Sequence, residues 1–229
     1  MRQAIILFTR VPVEGKTKTR LMPFLSGHEC AKLHRNFIKD IFETCRKAEA
    51  DLLVFYTPEC KSTILTKLLG EDQKMFPQQG EDLEERMKHA FAAVFREGYE
   101  KAVLIGTDIP MITVDILNEA LEGLSNHDAV ICPAADGGYY LIGMTGNHES
   151  IWNARECGSS TAFENALKNI EQAGLSAVVG PVCRDIDTKD DLIALYKELN
   201  LQTSGTAAHT AEYLRKELKG KLDYADTKG

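Results

Sequence analysis

The sequence predicts an α/β fold, an open and mostly parallel sheet with helices on both faces. Three observations predict it. Short apolar runs alternate with longer amphipathic stretches, and the connections between them are brief. The apolar runs show no polar alternation, the pattern of strands covered on both sides. Finally, the chemically loaded segments fall where strands should end, which is where such sheets bind ligands.

Taken in order, Ala4–Thr9 reads as a buried first strand. His28–Ala48 follows as a helix, with Ala31, Leu33, Phe37, Ile38, Ile41, Phe42 and Cys45 near a 3.6-residue period. Leu52–Tyr56 is the second strand. Asp82–Glu97 is helical, with Leu83, Met87, Ala90, Phe91, Val94 and Phe95 on one side. Ala102–Gly106 is the next strand, and Thr113–Leu124 is a helix opened by Thr113 and Asp115. Ala129–Cys132 and Tyr139–Met144 read as strands, Thr161–Ala173 as a helix, Ala177–Val179 as a strand and Lys189–Leu199 as a helix. One domain over 1–201 is expected. A helical extension and tail over 202–229 should follow, with residues 202–206 as the joint, Ala207–Leu222 as one helix and Asp223–Gly229 frayed.

The 229 residues suit one large domain. With 27 Lys and Arg against 34 Asp and Glu, the net charge of −7 argues against a nucleic-acid polymer as the partner, while leaving room for a mononucleotide on a local basic patch. No apolar run has the length of a membrane span, and the first run is too short for a signal peptide. The six cysteines form no C-x-x-C pair and fit no zinc spacing, so they read as reduced thiols of a cytoplasmic protein. There is no Walker A spacing and no G-x-S-x-G elbow, and the histidines do not pair at ligand spacing. Trp152 reads as packing.

Five segments carry chemistry. Phe8-Thr9-Arg10 leads into a loop with Gly15, Lys16, Lys18 and Arg20. Its cations suit phosphate oxygens, and its glycine permits close backbone approach, although a solvated basic turn has the same composition. Gln79-Gly80-Glu81-Asp82 opens a helix whose first turn is acidic except for Arg86. Asp108, after Ile105-Gly106-Thr107, is placed to hold Mg²⁺ or Mn²⁺ with waters and phosphates, or to serve as a turn residue. Asp136-Gly137-Gly138-Tyr139 either admits a sugar or base closely or forms a hairpin turn. Asp185 and Asp187 share one side of an extended segment, one of them a candidate second metal carboxylate, and Thr188 is a helix cap.

In order from Phe8 to Leu192, these segments resemble the bacterial DUF2064 proteins, which are called glycosyltransferases and are linked to arsenosugar or selenodomain-associated gene sets. More distantly they are similar to the nucleotidyltransferases that activate molybdopterin or phospholactate. The resemblance implies a GT-A fold, the nucleotide-diphospho-sugar transferase sheet. It implies nucleotide binding by Phe8, Thr9, Arg10, Gly15, Lys18, Arg20, Gln79, Gly80, Asp82 and Arg86, and a catalytic role for Lys18, Arg20 and Asp108. It places Mg²⁺ or Mn²⁺ on Asp108 and Asp187, and the acceptor beside Asp136, Gly137, Gly138 and Tyr139. Many relatives carry a W-[SG]-T segment where this chain reads Glu156-Cys157-Gly158-Ser159-Ser160-Thr161, and Asp108 stands outside a D-x-D pair. The expected activity is a metal-dependent transfer from a nucleotide-activated small molecule. Glycosyl transfer from a nucleotide sugar leads, nucleotidyl transfer from a triphosphate to a phosphorylated acceptor is the alternative, and a non-catalytic nucleotide-binding module is the third reading.

Overall fold

The first apolar run becomes β1 (Gln3–Arg10), buried from Ala4 through Thr9. The computed structural model describes residues 2–152, 161–201 and 205–227. Beside β1 lie β2 (Asp51–Thr57), β3 (Met75–Pro77), β4 (Lys101–Ile105), β5 (Ala129–Pro133), β6 (Tyr139–Met144) and β7 (Ala177–Val179). The sheet order is β3-β2-β1-β4-β6-β5-β7. β1 runs parallel to β2 and β4, β2 to β3, and β5 to β7. Only β6 is antiparallel to its neighbours β4 and β5. The reason is local: β5 and β6 are joined by the tight Ala134–Gly138 turn, and a tight turn can connect only antiparallel strands.

Strand alternation divides the core into two layers. Ala4, Ile6 and Phe8 pack with Met87, Ala90, Phe91 and Val94 of α3 (Leu83–Arg96). Ile5 and Leu7 pack with Ile41 and Phe42 of α1 (Gly27–Cys45), and with Leu117 and Leu121 of α4 (Val114–Gly123). α1 starts where Ser26 and Glu29 form a reciprocal capping box. α3 and α4 are capped by Asp82 and Thr113. Trp152 is buried with its ring 5.8 Å from that of Phe91, the packing role its sequence context suggests.

A third cluster joins α1 to the C-terminal helices. Leu33 and Phe37 meet Leu195 and Leu199 of α6 (Lys189–Leu201) and Leu214, Leu218 and Leu222 beyond it. The terminal segment is not one helix. α7 (Ala208–Tyr213) passes through a wider π turn at Leu214–Leu218 into α8 (Lys219–Asp226). Nor does it fray from Asp223, because buried Leu222 and Ala225 hold the last helix against its neighbours. Residues 202–204 of the expected joint, and Glu156–Ser160 of the departing segment, lie outside the described residues. Among the described residues, no helix is long and apolar enough to cross a membrane.

Among the described residues, α2 (Ser62–Leu69), the edge strand β3 and three short 3-10 turns are additional to the sequence reading. All are short, and Phe76 of β3 is largely exposed. α5 (Ala162–Gln172) completes the helical cover.

Candidate functional site

The chain order places a switch point between β1 and β4, since β2 and β3 lie to one side of β1 and the later strands to the other. In such sheets the crevice beyond the strand ends is the ligand position. Here the hydroxyls of Thr9 and Thr107 meet across that crevice at 3.0 Å. A cleft of about 810 Å³ opens above them. Its walls include Phe8, Thr9, Arg10, Lys18 and Arg20 from the β1 side, Asp82 and Arg86 from α3, and Asp108 after β4. They also include Asp136, Gly138, Tyr139, Asp185 and Asp187.

At its centre is Lys18. The residue adopts a left-handed backbone (φ 50°, ψ 42°), uncommon for a side chain larger than glycine, and this turns its stem inward. Its side chain is 4% exposed. The ammonium lies 2.6 Å from Asp108 Oδ1, 3.1 Å from Asp187 Oδ1 and 2.6 Å from the Ile186 carbonyl oxygen. An ammonium has three protons, and three acceptors surround this one. The Phe37 ring of α1 lies 5.3 Å from the same nitrogen. Arg20 donates from outside to Asp187 Oδ2 at 3.1 Å and is 73% exposed. The Asp108 and Asp187 segments are fastened to each other, because Ile186 N–H donates to the Asp108 carbonyl at 3.0 Å.

The charges reinforce one another. Burial pushes the Lys18 ammonium down, but Asp108 and Asp187 outweigh it and raise its pKa. Burial pushes Asp108 up, but Lys18 foremost, with help from the neighbouring His34 and Arg10, holds its carboxyl below the usual range. Asp108 nevertheless opens its side chain to the cleft, with 51% exposed. Asp185 behaves oppositely: burial and then nearby Asp136 raise it.

The glycines shape the cleft. Gly15 (φ +69°) turns the basic loop, and Gly137 (φ +91°) turns the β5–β6 hairpin. Gly138 N–H donates to Asp136 Oδ1 at 2.8 Å, so the Asp-Gly-Gly segment is a hairpin turn and a cleft wall at once. Gly80 (φ +131°) lets the chain enter α3, where a Cβ would come within 2.8 Å of the Arg86 nitrogen. Arg86 fixes this turn, donating to the Gly80 and Glu81 carbonyls at 2.9 and 3.2 Å. The Gln79 carbonyl meets His89 Nδ1 at 2.8 Å. Gln79, Gly80, Gly15 and Gly137 thus stand behind the cleft surface.

Among the cleft residues that the sequence reading did not single out, three have a defined part in the site. Gln78, beside the predicted Gln79, donates to the Thr9 and Phe55 carbonyls at 3.3 and 3.0 Å, binding the ends of β1 and β2. Thr107 is the second hydroxyl at the switch point. His34 is buried beneath the basic loop, its Nε2 3.1 Å from the Arg10 carbonyl and its Nδ1 without a partner. Burial lowers its pKa to about 4, so it is neutral at pH 7. The available signal was a histidine within the apolar stripe of α1.

Three oxygens converging on one cation form an all-oxygen donor set of the type that hard divalent ions accept. Among the described residues no group of three or more His, Cys, Asp or Glu side chains gathers closely enough to hold a metal. Asp108, Asp187 and the Ile186 carbonyl supply two carboxylates and one further oxygen, a partial donor set of that type, here directed at the Lys18 ammonium.

The pattern that defines DUF2064, described as "uncharacterized protein conserved in bacteria", matches residues 40–159. A crystal structure from Desulfovibrio desulfuricans G20, of a protein described as a nucleotide-diphospho-sugar transferase, is 32% identical and covers 98% of each chain with a TM-score of 0.91. The 2-phospho-L-lactate guanylyltransferase of Methanothermobacter thermautotrophicus is 28% identical over 90% of this chain and 88% of its own. A cytidylyltransferase from Leptospira borgpetersenii shares the fold, with 16% identity, 96% of each chain covered and a TM-score of 0.59. On these relationships the chain is a transferase enzyme with a fold common to nucleotidyltransferases and nucleotide-sugar transferases, and it belongs to the DUF2064 family.

Proposed function

We propose that the protein is a nucleotidyltransferase that joins a nucleoside triphosphate to a phosphorylated small-molecule acceptor and releases pyrophosphate. The observation that carries this reading is the meeting of Asp108 and Asp187 with a dense cationic loop at the switch point of the sheet. Exposed Arg10, Lys16 and Arg20 line one side of the cleft, and such a concentration of charge suits a triphosphate better than a diphosphate. The guanylyltransferase relatives make GTP the first nucleotide to test.

In this reading an oxygen of the acceptor phosphate attacks the α-phosphorus. The bond from that phosphorus to the bridging oxygen breaks, and pyrophosphate leaves with the electron pair. Arg10, Lys16 and Arg20 hold the β- and γ-phosphates and stabilise the charge that builds on them. Asp136, Gly138 and Tyr139 face the acceptor. Asp108 and Asp187 would hold a divalent ion, which when bound would supply positive charge at the reacting phosphates.

Glycosyl transfer from a nucleotide sugar is the second reading, favoured by the name of the Desulfovibrio relative. Products separate the two. The protein is incubated with Mg²⁺, GTP and a panel of phosphorylated hydroxy acids, and in parallel with nucleotide sugars. Pyrophosphate formed in step with a guanylylated product is the expected result. A nucleoside diphosphate released from a nucleotide sugar, with no pyrophosphate from any triphosphate, would overturn it in favour of glycosyl transfer.

A further inference from the structure

We propose that Lys18 is a placeholder cation: until nucleotide binds, its ammonium holds the position that the divalent ion then takes, so metal and nucleotide must enter together. The inference rests on the nucleotide reading above. It begins from a conflict of geometry. A lysine in a phosphate-binding loop should present its protons to the ligand, yet Lys18 directs them to Asp108 Oδ1, Asp187 Oδ1 and the Ile186 carbonyl, at 2.6, 3.1 and 2.6 Å. These are also the oxygens that fit a metal ion, and one position cannot hold two cations.

The surroundings both stabilise the Lys18 contacts and leave them exchangeable. Without a cation, Asp108 and Asp187 would repel each other across a partly desolvated pocket. Lys18 removes that repulsion from within, and Arg20 supports Asp187 from outside. The left-handed backbone at Lys18 aims the stem between the carboxylates. The ammonium ends a four-carbon chain of rotatable bonds, and Asp108 is open to the cleft on its other side. A nucleotide brings phosphate oxygens to the cleft and a divalent ion with them. Lys18 can then transfer its three hydrogen bonds to phosphate while the ion takes the carboxylates. A metal ion alone offers Lys18 no such acceptors and must displace it into water.

Binding of Mn²⁺ is measured by water-proton relaxation, with Mn²⁺ alone and with Mn²⁺ plus GTP. The wild-type protein should bind Mn²⁺ alone at least tenfold more weakly than in the presence of GTP. In Lys18→Met and Lys18→Gln, Mn²⁺ alone should bind at least tenfold more tightly than in the wild type, and a further Asp108→Asn change should remove that gain. Unchanged Mn²⁺ affinity in a folded Lys18 variant would overturn the proposal. Should neither variant fold, the wild type decides: one Mn²⁺ per chain bound without GTP and lost in Asp108→Asn overturns the proposal, and no Mn²⁺ bound at that site until GTP is added supports it. The Mn²⁺-only arms require no turnover. Absence of pyrophosphate formation therefore counts against the proposed reaction, and a flat Lys18 response counts against the placeholder.

Discussion

Two aspartates of this molecule, Asp40 buried and Asp108 open to the cleft, are satisfied in contrasting ways. Asp40, on α1, accepts from the His209 and Thr210 backbone N–H groups at 2.9 and 2.8 Å, and from the Thr210 hydroxyl at 2.5 Å. It caps α7 from a neighbouring helix, across 170 residues of chain. Asp108 has instead the ammonium of a flexible side chain. Backbone donors cannot leave without unfolding the helix they start, whereas an ammonium can leave by rotation of its stem. The first arrangement therefore suits a fixed joint and the second a site that must exchange partners. The pKa directions agree: burial outweighs the amides and raises Asp40, while Lys18 overcomes burial and lowers Asp108.

The largest expected effect comes from Asp108→Asn. It should lower turnover by about 10²–10³-fold, the scale of losing one electrostatic contact to the developing charge, with little change in melting temperature. Rates and melting curves on one preparation check both halves, and a stable variant with full activity would erase the functional side of the contrast. Asp40→Ala should do the reverse. Leaving buried donors without an acceptor should cost about 2–4 kcal/mol in urea unfolding, while turnover per folded molecule is kept. If it also abolished turnover at full stability, α7 would belong to the site.

The contrast is sharpened by pH. His34 has its pKa lowered from 6.5 to about 4 in the folded chain. Between these values the unfolded chain binds the proton and the folded chain does not. Its contribution is therefore present above pH 6.5 and is lost as pH falls toward 4, a decline of about 3 kcal/mol at 1.36 kcal/mol per unit. Denaturant titrations across this window should show the slope in the wild type and a flatter one in His34→Gln. Arg86→Ala is the mildest change. Losing its bonds to the Gly80 and Glu81 carbonyls should cost about 1 kcal/mol by urea titration, and no loss would make that turn self-supporting.

Much of the fold was legible because the core strands are apolar on both sides. Ala4–Thr9 and Leu52–Tyr56 lie within the observed β1 and β2, and Tyr139–Met144 matches β6. The antiparallel direction of β6 follows from a turn whose Asp-Gly signal the sequence shows but does not force. β3 was not legible: its three residues pair only at the sheet edge, and Pro77 weakens any strand signal. In the cleft, Asp108, Asp187, Lys18 and Arg20 could each be read from charge and strand position. Their mutual arrangement could not, because it depends on the left-handed turn at Lys18 and on the Ile186–Asp108 backbone bond across the molecule. His34 was hidden for a related reason, since a lone histidine in an apolar stripe gives no sign of the loop that will cover it.

Calorimetric titration of GTP in Mg²⁺ against the wild type, Asp108→Asn and Asp40→Ala tests the central claim most directly, namely that the cleft around Lys18, Asp108 and Asp187 is the nucleotide site. The account predicts one GTP per chain, affinity at least tenfold weaker in Asp108→Asn, and wild-type affinity in folded Asp40→Ala. Equal affinity for all three proteins, or no GTP binding to the wild type, would contradict it.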